Sequence, residues 1–281
     1  MNRIFITGHK GMLGRELASV AQALGKNVSG ADLPGCDITN RKQIESCILD
    51  AQPDFILHAA AFAAVDRCES EPDMAYLVNA TGTQNVCLAA QSLNVPLMYI
   101  STDYIFDGAK PAPYDEWDAA NPQSVYGKSK YAGECLVREL CPKHFIVRIS
   151  WLCGHGGANF VETILKLSAE RDELKVVNDQ HGSPTFVKDL APELFRLSEF
   201  GAFGTFHITN RGYTTWYDFA KKIVEHGKGK ARVNPCSTEE FPRPAPRPRN
   251  SRLSPRLYEN AIGNRMPTWE EGLKKYLGER G

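Results

Sequence analysis

The sequence predicts an α/β fold, a doubly wound parallel sheet followed by a smaller C-terminal α/β lobe. Short, continuously apolar runs alternate with helix-period stretches up to about residue 150. A strand that is apolar at every position is buried on both faces, as in a parallel sheet covered by helices. Alternation of strands and helices then favours right-handed crossovers and a doubly wound order.

The elements of the first 150 residues follow from these patterns in order. Apolar runs predict five strands, at residues 4–6, 27–31, 55–57, 97–100 and 145–149. The run at 27–31 is the weakest of them. Apolar residues at helical spacing predict four helices between the strands, at residues 12–24, 41–51, 74–93 and 126–140. The third of these helices carries an internal glycine, Gly82.

After residue 150 the pattern loosens. Helices are expected at residues 160–169, 187–200, 217–226 and 270–277, with short strands at 175–177 and 205–208. Residues 241–255 are rich in proline and arginine, and proline at that density forbids a helix and favours extended backbone. We therefore expect a nucleotide-binding domain at 1–150 and mainly a substrate-binding lobe at 151–281, with some segments of the second part packing back on the first.

Composition excludes several classes of partner. Thirty-three basic residues balance thirty-three acidic ones among 281, so neither nucleic acid nor a membrane surface is an expected partner. No apolar run approaches the roughly 20 residues that span a bilayer, and the first residues enter a strand at once. The eight cysteines form no C-x-x-C pair, so we expect reduced thiols, no zinc site and a cytoplasmic protein.

A glycine-rich turn follows the first strand directly. Residues 7–14 read Thr-Gly-His-Lys-Gly-Met-Leu-Gly and open the first helix. One glycine permits the tight turn, another lets backbone N–H groups approach a pyrophosphate, and the third lets helix pack on strand. The helix N-terminus then presents free N–H groups to the phosphates. This turn predicts a Rossmann-type domain that binds NADPH or NADH through Gly8, Gly11 and Gly14.

Charged residues near the turn and after the second strand are candidates for contact with the adenosine part of the cofactor. Asp32 stands where a carboxylate commonly accepts hydrogen bonds from a ribose 2′-hydroxyl, which favours NADH. Lys10, inside the turn, would instead attract the 2′-phosphate of NADPH, so the preference stays open. Asp37 and Ile38 either flank the adenine or begin the next helix.

A tyrosine and a lysine form the candidate catalytic pair. Tyr126 and Lys130 are spaced as Tyr-x-x-x-Lys, which places them on one face of the predicted helix. Reduction of a carbonyl requires a proton on oxygen, and a cationic lysine nearby would bring the pKa of a tyrosine down toward neutrality. The fourth strand ends in Ser101 and Thr102, whose hydroxyls could hold the substrate oxygen or merely cap the following turn.

Together these motifs resemble the extended short-chain dehydrogenase/reductase family. Further segments in family order narrow the resemblance to the branch that reduces a dTDP-linked keto-sugar, and it extends over nearly the whole chain. These segments are His58-Ala59-Ala60-Ala61, Ala64-Val65-Asp66-Arg67-Cys68-Glu69, Ser101-Thr102-Asp103-Tyr104-Ile105-Phe106-Asp107-Gly108, Arg148-Ile149-Ser150-Trp151, residues 178–185 and residues 247–253.

The resemblance implies reduction of the C4 ketone of dTDP-6-deoxy-L-lyxo-4-hexulose to dTDP-L-rhamnose with hydride from NAD(P)H. It implies a catalytic triad of Thr102, Tyr126 and Lys130. The cofactor-binding residues expected are Gly8, Lys10, Gly11, Met12, Leu13, Gly14, Asp32, Asp37, Ile38, Ala59, Ala60, Ala61, Tyr126 and Lys130. The substrate-binding residues expected are Val65, Thr102, Asp103, Trp151, Arg247, Asn250 and Arg252.

Several alternatives stay open. Trp151 could wall a sugar pocket or be plain core, and residues 243–248 could be an exposed linker or a docking peptide rather than a diphosphate site. The fold could also serve a regulatory subunit like that of methionine adenosyltransferase, or an epimerase or dehydratase of another nucleotide-sugar.

A homodimer and bound Mg²⁺ are known in some members of the family. Their acidic metal ligands include one just after a Pro-Thr pair. This chain has Lys188 near that place, and Glu16 alone does not make a site. A homodimer is therefore compatible with the resemblance, but we predict no metal.

Overall fold

The computed structural model describes residues 1–279. In chain order the strands are β1 (Arg3–Thr7), β2 (Asn27–Ala31), β3 (Phe55–His58), β4 (Leu97–Thr102), β5 (His144–Ile149), β6 (Leu152–Cys153), β7 (Glu173–Val177), β8 (His181–Gly182), β9 (Thr185–Phe186), β10 (Gly204–His207), β11 (Thr214–Thr215) and β12 (Arg232–Cys236). The α-helices are α1 (Met12–Ala23), α2 (Arg41–Ala51), α3 (Val65–Ser70), α4 (Pro72–Tyr76), α5 (Thr83–Leu93), α6 (Val125–Leu140), α7 (Phe160–Glu170), α8 (Val187–Phe200), α9 (Trp216–His226), α10 (Arg256–Ile262) and α11 (Trp269–Gly278).

A six-stranded parallel sheet forms the centre of the fold, in the order β2–β1–β3–β4–β5–β10. Strand β1 pairs with β2 on one side and with β3 on the other, so that Ile4 faces both Val28 and Phe55. The strands that follow β1 are therefore added first on one side of it, as β2, and then on the other side, as β3 to β5. Ligands of open α/β sheets bind at the carboxyl ends of the strands beside such a switch point.

Both faces of the sheet are buried, as the continuous apolar strands predict. Ile4 and Ile6 point into a core shared with α1 and α8, whereas Phe5 points into a second core shared with α2 and α5. Because successive side chains of a strand alternate between faces, each strand needs apolar residues at every position. The predicted α/β class and parallel sheet are confirmed.

The C-terminal half contributes to both parts of the molecule. Strand β10 extends the central sheet by pairing with β5, and α8 packs on α1. The rest forms a smaller lobe in which β7 and β12 pair in parallel under α7 and α9. Its separate core includes Phe219 and Leu273, both fully buried. The division at residue 150 stays a proposal about the chain's organisation.

Most predicted elements occur within one or two residues of their expected bounds. One predicted helix is interrupted, and several short elements were not predicted, among them the strands β6, β8, β9, β11 and β12. The predicted helix at 74–93 is interrupted by a π-helical segment, Leu77–Gly82. Within it Asn79 turns inward, accepting from Phe62 N at 2.8 Å and donating to Ser129 Oγ at 2.9 Å. π-segments of this kind are frequent next to functional sites. The short helices α3 and α10 were not predicted, because six or seven residues give too little periodicity to detect.

Candidate active site

The glycine turn lies at the switch point of the sheet, between the carboxyl ends of β1 and β3. Gly8 adopts a φ of +69°, and a Cβ there would come within 2.8 Å of Ala60 N. A Cβ on Gly14 would lie 2.1 Å from the carbonyl oxygen of Gly8. The turn therefore requires glycine, for backbone conformation at the first position and for helix packing at the other.

A cavity of about 430 Å³, here called the turn cavity, opens beside the turn. Many of the residues predicted to bind the cofactor line it, namely Gly8, Lys10, Gly11, Asp32, Asp37, Ile38, Ala59, Ala60 and Ala61. A second cavity of about 400 Å³, the central cavity, continues from it and shares Gly8, Gly11, Ala59 and Ala61. Met12, Leu13 and Gly14 line this second part. The two form one groove over the N-terminus of α1, which fits an extended dinucleotide such as NADP or NAD.

The acidic residues near the turn brace the backbone. Asp32 accepts a hydrogen bond from the backbone N–H of Lys10 at 2.9 Å, and so stabilises the turn itself. Asp37 accepts from the backbone N–H and hydroxyl of Thr39, each at 2.8 Å, just before the N-cap of α2. Both aspartates also line the turn cavity. For Asp37 the two readings of the sequence are therefore compatible.

The three predicted catalytic side chains meet in the central cavity. Thr102 ends β4, and Tyr126 and Lys130 lie on the first turns of α6. Ser124 begins this helix by accepting a hydrogen bond from the backbone N–H of Gly127 at 3.1 Å. The cap sets the start of the helix and thereby directs Tyr126 toward the end of β4.

Burial controls the acidity of this group. It raises the pKa of the Tyr126 phenol, whereas a hydrogen bond with Thr102 acts in the opposite direction. Burial lowers the pKa of Lys130 to about 7, against the charge of Glu134. We predicted that Lys130 would lower the pKa of Tyr126, and in this structure the shift is in the other direction. The Lys130 ammonium instead donates to the carbonyl oxygen of Ile100 at 2.7 Å.

A buried ionic cluster supports Lys130 from one turn further along α6. Glu134 is fully buried and accepts hydrogen bonds from Ser101 Oγ at 2.5 Å and Arg148 Nε at 3.0 Å. Arg148 and Arg138 hold the pKa of Glu134 below its ordinary value despite burial. Glu134 was not singled out in the sequence, because one glutamate on a helix gives no signal until its partners are known.

Asp103 was predicted to contact the substrate and lies at the back of the central cavity. It is 2% exposed and accepts a hydrogen bond from Thr102 Oγ1 at 3.0 Å. Burial raises the pKa of Asp103 to about 6, against hydrogen bonds from Ser251 and Thr102. The side chain therefore contacts the Thr102 hydroxyl directly.

A third cavity of about 380 Å³, the aromatic cavity, joins the central cavity through Tyr104 and Trp216. Phe160, Trp216 and Phe241 supply its aromatic surfaces, and Lys175, Arg243 and Arg247 supply positive charge. Aromatic faces beside cations suit a base and a diphosphate. Only Arg247 of these residues was predicted. The others lie in a helix N-terminus, in strands or in the proline-rich stretch, where sequence patterns do not reveal which way a side chain points.

Trp151 lines the central cavity beside Trp216, which lines both the central and the aromatic cavity. Its ring stacks on Trp216 with centroids 3.5 Å apart, and its backbone has a φ of +47°. A non-glycine residue in the left-handed region is strained, and such strain concentrates at functional sites. The structure thus favours the pocket wall over plain core for Trp151. Val65, at the start of α3, also lines the central cavity.

Two predicted substrate residues lie elsewhere. Asn250 donates to the carbonyl oxygens of Lys110 at 2.6 Å and Ala112 at 2.8 Å. Arg252 donates to Asn250 Oδ1 at 2.8 Å and to the carbonyl oxygen of Pro111 at 2.6 Å. Neither lines the central or the aromatic cavity. In this structure their polar groups anchor the loop at residues 110–112, and a role toward the substrate stays a prediction for both.

A separate cavity of about 200 Å³ contains Glu16, Lys188 and Glu279. The Lys188 ammonium lies 2.9 Å from Glu279, and the charge of Glu16 also raises the pKa of Lys188. Within residues 1–279 no three His, Cys, Asp or Glu side chains are grouped to hold a metal ion. The residues present do not fit a divalent cation, since an ammonium group lies among the carboxylates. The same part of the chain contains no helix long and apolar enough to cross a membrane.

The chain is similar in sequence and in structure to known proteins. A family model described as the RmlD substrate binding domain matches residues 1–280. The spore coat polysaccharide biosynthesis protein SpsK of Bacillus subtilis is 40% identical over 280 residues, covering 100% of this chain and 98% of that protein. A dTDP-4-dehydrorhamnose reductase of Sinorhizobium fredii is 39% identical over 286 residues, covering 98% and 96%. The structure of dTDP-4-dehydrorhamnose reductase from Bacillus anthracis in complex with NADP is 42% identical, with a TM-score of 0.96, covering 99% and 100%.

Proposed function

The chain belongs to the RmlD substrate binding domain family, and we propose that it reduces the C4 ketone of dTDP-6-deoxy-L-lyxo-4-hexulose to dTDP-L-rhamnose with NADPH or NADH. One observation carries the proposal. Thr102, Tyr126 and Lys130 share a cavity that continues into the glycine-turn groove on one side and into the aromatic, cation-lined cavity on the other. A dinucleotide and a nucleotide-sugar entering from opposite sides would meet at the tyrosine.

The residues divide the work of the reaction between them. The nicotinamide cofactor supplies the hydride when it is bound. Tyr126 donates the proton to the ketone oxygen, and its raised pKa keeps the phenol protonated at neutral pH. On substrate binding the Thr102 hydroxyl turns from Asp103 to the ketone oxygen and so orients the ketone. Lys130, one helical turn further along α6, would hold the nicotinamide ribose.

The two nucleotide ends are held by different chemistry. Backbone N–H groups of the glycine turn and of the N-terminus of α1 would hold the cofactor's pyrophosphate. Arg247 binds the diphosphate of the substrate, and Trp151 walls the sugar. Asp32 and Lys10 both line the turn cavity, so the cofactor's 2′-group would lie near a carboxylate and an ammonium group. The proposal therefore includes both cofactors.

Absorbance of the reduced nicotinamide tests the reaction. Purified protein is mixed with NADPH or NADH and enzymatically generated dTDP-4-keto-6-deoxy-L-sugar. We expect loss of the reduced-cofactor band, with Tyr126→Phe lowering kcat by on the order of 10²–10⁴-fold. Tyr131→Phe is the control, since Tyr131 is on the same helix but packs against Ile105 and its neighbours.

The alternatives give different results in the same assay. A flat trace with measurable cofactor binding would favour the regulatory subunit, and tightly retained cofactor without net oxidation would favour an epimerase. Near-full turnover by Tyr126→Phe would refute the role given to Tyr126. We also propose a cytoplasmic location, no nucleic-acid partner and a homodimer, and light scattering after size-exclusion chromatography distinguishes the dimer from a monomer.

A further inference from the structure

The segment of residues 241–247, here called the strap, borders the aromatic cavity near its junction with the central cavity. Phe241, Arg243 and Arg247 of the strap line the aromatic cavity. Prolines at 242, 244 and 246 have no N–H to donate, so the strap cannot be held by a regular ladder of backbone hydrogen bonds. Its position must therefore depend on contacts made by other parts of the chain.

Asp66, in the first turn of α3, makes polar contacts of this kind with the strap. Its Oδ1 accepts hydrogen bonds from Arg247 at 2.8 Å and from the backbone N–H of Ala245 at 3.3 Å. Its Oδ2 lies 3.9 Å from Arg243. One carboxylate thus faces two guanidinium groups and one backbone donor of the strap. The preceding residue, Val65, lines the central cavity, so the attachment is made next to the reaction site.

We propose that Asp66 is a positioning residue for the nucleotide-sugar, which holds the strap so that Arg247 is ready to bind the substrate's diphosphate. The inference rests on the proposed function and names a residue that acts through Arg247 rather than on the substrate. A guanidinium fixed before binding loses less side-chain entropy when the ligand arrives. Asp66 would therefore increase affinity although its own charge repels a diphosphate.

Charge and contact support this role over a purely structural one. Two arginines against one carboxylate leave a net positive charge, and Lys175 adds another in the same cavity. The pair is partly accessible, since 17% of the Arg247 side chain and 33% of the Asp66 side chain are exposed. An arginine that only anchored the strap would have no need of exposure, whereas the exposed part of Arg247 leaves its guanidinium accessible to an anionic ligand.

Arg247 also connects to the catalytic tyrosine. Its guanidinium lies 5.8 Å from the centre of the Tyr104 ring, and the centres of the Tyr104 and Tyr126 rings lie 5.5 Å apart with the rings nearly perpendicular. Displacement of Arg247 would thus disturb the wall against which Tyr126 rests. We expect the larger effect on binding, because Tyr126 itself is held by α6.

A double-mutant cycle on the binding of dTDP tests the proposal. The variants are Asp66→Asn, Arg247→Gln and the double variant, with Asp73→Asn as a control because Asp73 is an exposed acid on the next helix. Tryptophan fluorescence reports binding, since Trp151 and Trp216 line the cavities. Each single variant should weaken dTDP about tenfold or more, as loss of a charge-assisted hydrogen bond predicts. The double variant should be no weaker than Arg247→Gln within about twofold, with NADPH affinity unchanged.

The outcomes separate this inference from the proposed reaction. Additive losses from Asp66→Asn and Arg247→Gln, or unchanged affinity in Asp66→Asn, would overturn the positioning role while leaving the reductase intact. Strong coupling without turnover of the keto-sugar would support the positioning role and refute the reaction. Absence of dTDP binding by the unaltered chain would overturn both. If Asp66→Asn folds poorly, Asp66→Glu serves instead, and an affinity between those of the unaltered chain and Arg247→Gln is expected.

Discussion

Replacement of Glu134 by glutamine should destabilise the protein more than any other single charge change on α6. Glu134 is fully buried, and the Arg148 side chain that it binds is 4% exposed. Arg148 donates to both oxygens of Glu134, at 3.0 and 2.9 Å. In Glu134→Gln the buried guanidinium loses its counter-charge, and the new amide NH₂ group faces another donor. Breaking one partner out of a buried ion pair costs about 3–5 kcal/mol.

Other contacts change this figure little. Arg138 also binds Glu134, at 2.6 Å, but 35% of its side chain is exposed, so its loss adds at most about 1 kcal/mol. Arg148 keeps its hydrogen bond to the carbonyl oxygen of Glu116 at 3.2 Å, which offsets part of the loss. At about 2–4 °C per kcal/mol for a chain of roughly this size, the melting temperature should fall by about 6–20 °C.

Urea unfolding followed by tryptophan fluorescence measures the change, with Glu139→Gln as the matched control. Glu139 lies on the same helix but is exposed, so we expect its replacement to change the free energy of unfolding by less than about 0.5 kcal/mol. Equal effects of the two substitutions would refute the reasoning. The charge of Glu134 also raises the pKa of Lys130, so Glu134→Gln should shift the pH dependence of cofactor binding to lower pH.

Three further predictions follow from other parts of the structure. Gly14→Ala places a Cβ 2.1 Å from a carbonyl oxygen of the turn and should lower the affinity for NADPH on the order of tenfold or more in a fluorescence titration. Gly278→Ala is the control, since a Cβ at Gly278 has no neighbour within 4 Å and should leave the affinity unchanged. Burial lowers the pKa of His58 and of His207 from 6.5 to about 3, so below pH 6.5 the unfolded chain binds protons that the folded chain does not. The free energy of unfolding should therefore fall by about 1.4 kcal/mol per pH unit for each histidine as the pH is lowered from 6 to 4. If the urea midpoint depends on pH as steeply in His58→Gln as in the unaltered chain, this prediction is wrong. Addition of EDTA or Mg²⁺ should leave the melting temperature of the unaltered chain unchanged. In Lys188→Glu a third carboxylate replaces the ammonium, so the melting temperature of this variant should rise when Mg²⁺ is added. A fall in the melting temperature of the unaltered chain with EDTA would show that the ammonium does not replace a cation.

Much of the structure around the cofactor groove could be predicted from the sequence. Apolar runs and helical spacing depend on neighbours within a few residues, so the central sheet and its helices could be predicted with their bounds. The glycine turn is equally local: the strand, the three glycines and the helix that use it are consecutive. Tyr126 and Lys130 are one helical turn apart, so their common face followed from spacing alone.

Only the tertiary structure decided the substrate side and the electrostatics. The aromatic cavity is assembled from α7, β7, α9 and the strap, which are far apart in the chain, so no local pattern marked Trp216 or Phe241. Asn250 and Arg252 stand in the same segment as Arg247 but point toward the loop at 110–112, and side-chain direction in irregular backbone has no period to read. The direction of the Tyr126 pKa shift depends on burial, which the sequence does not specify. Local interactions thus determined the sheet and the turn, whereas contacts between distant segments determined which charged and aromatic groups face the site.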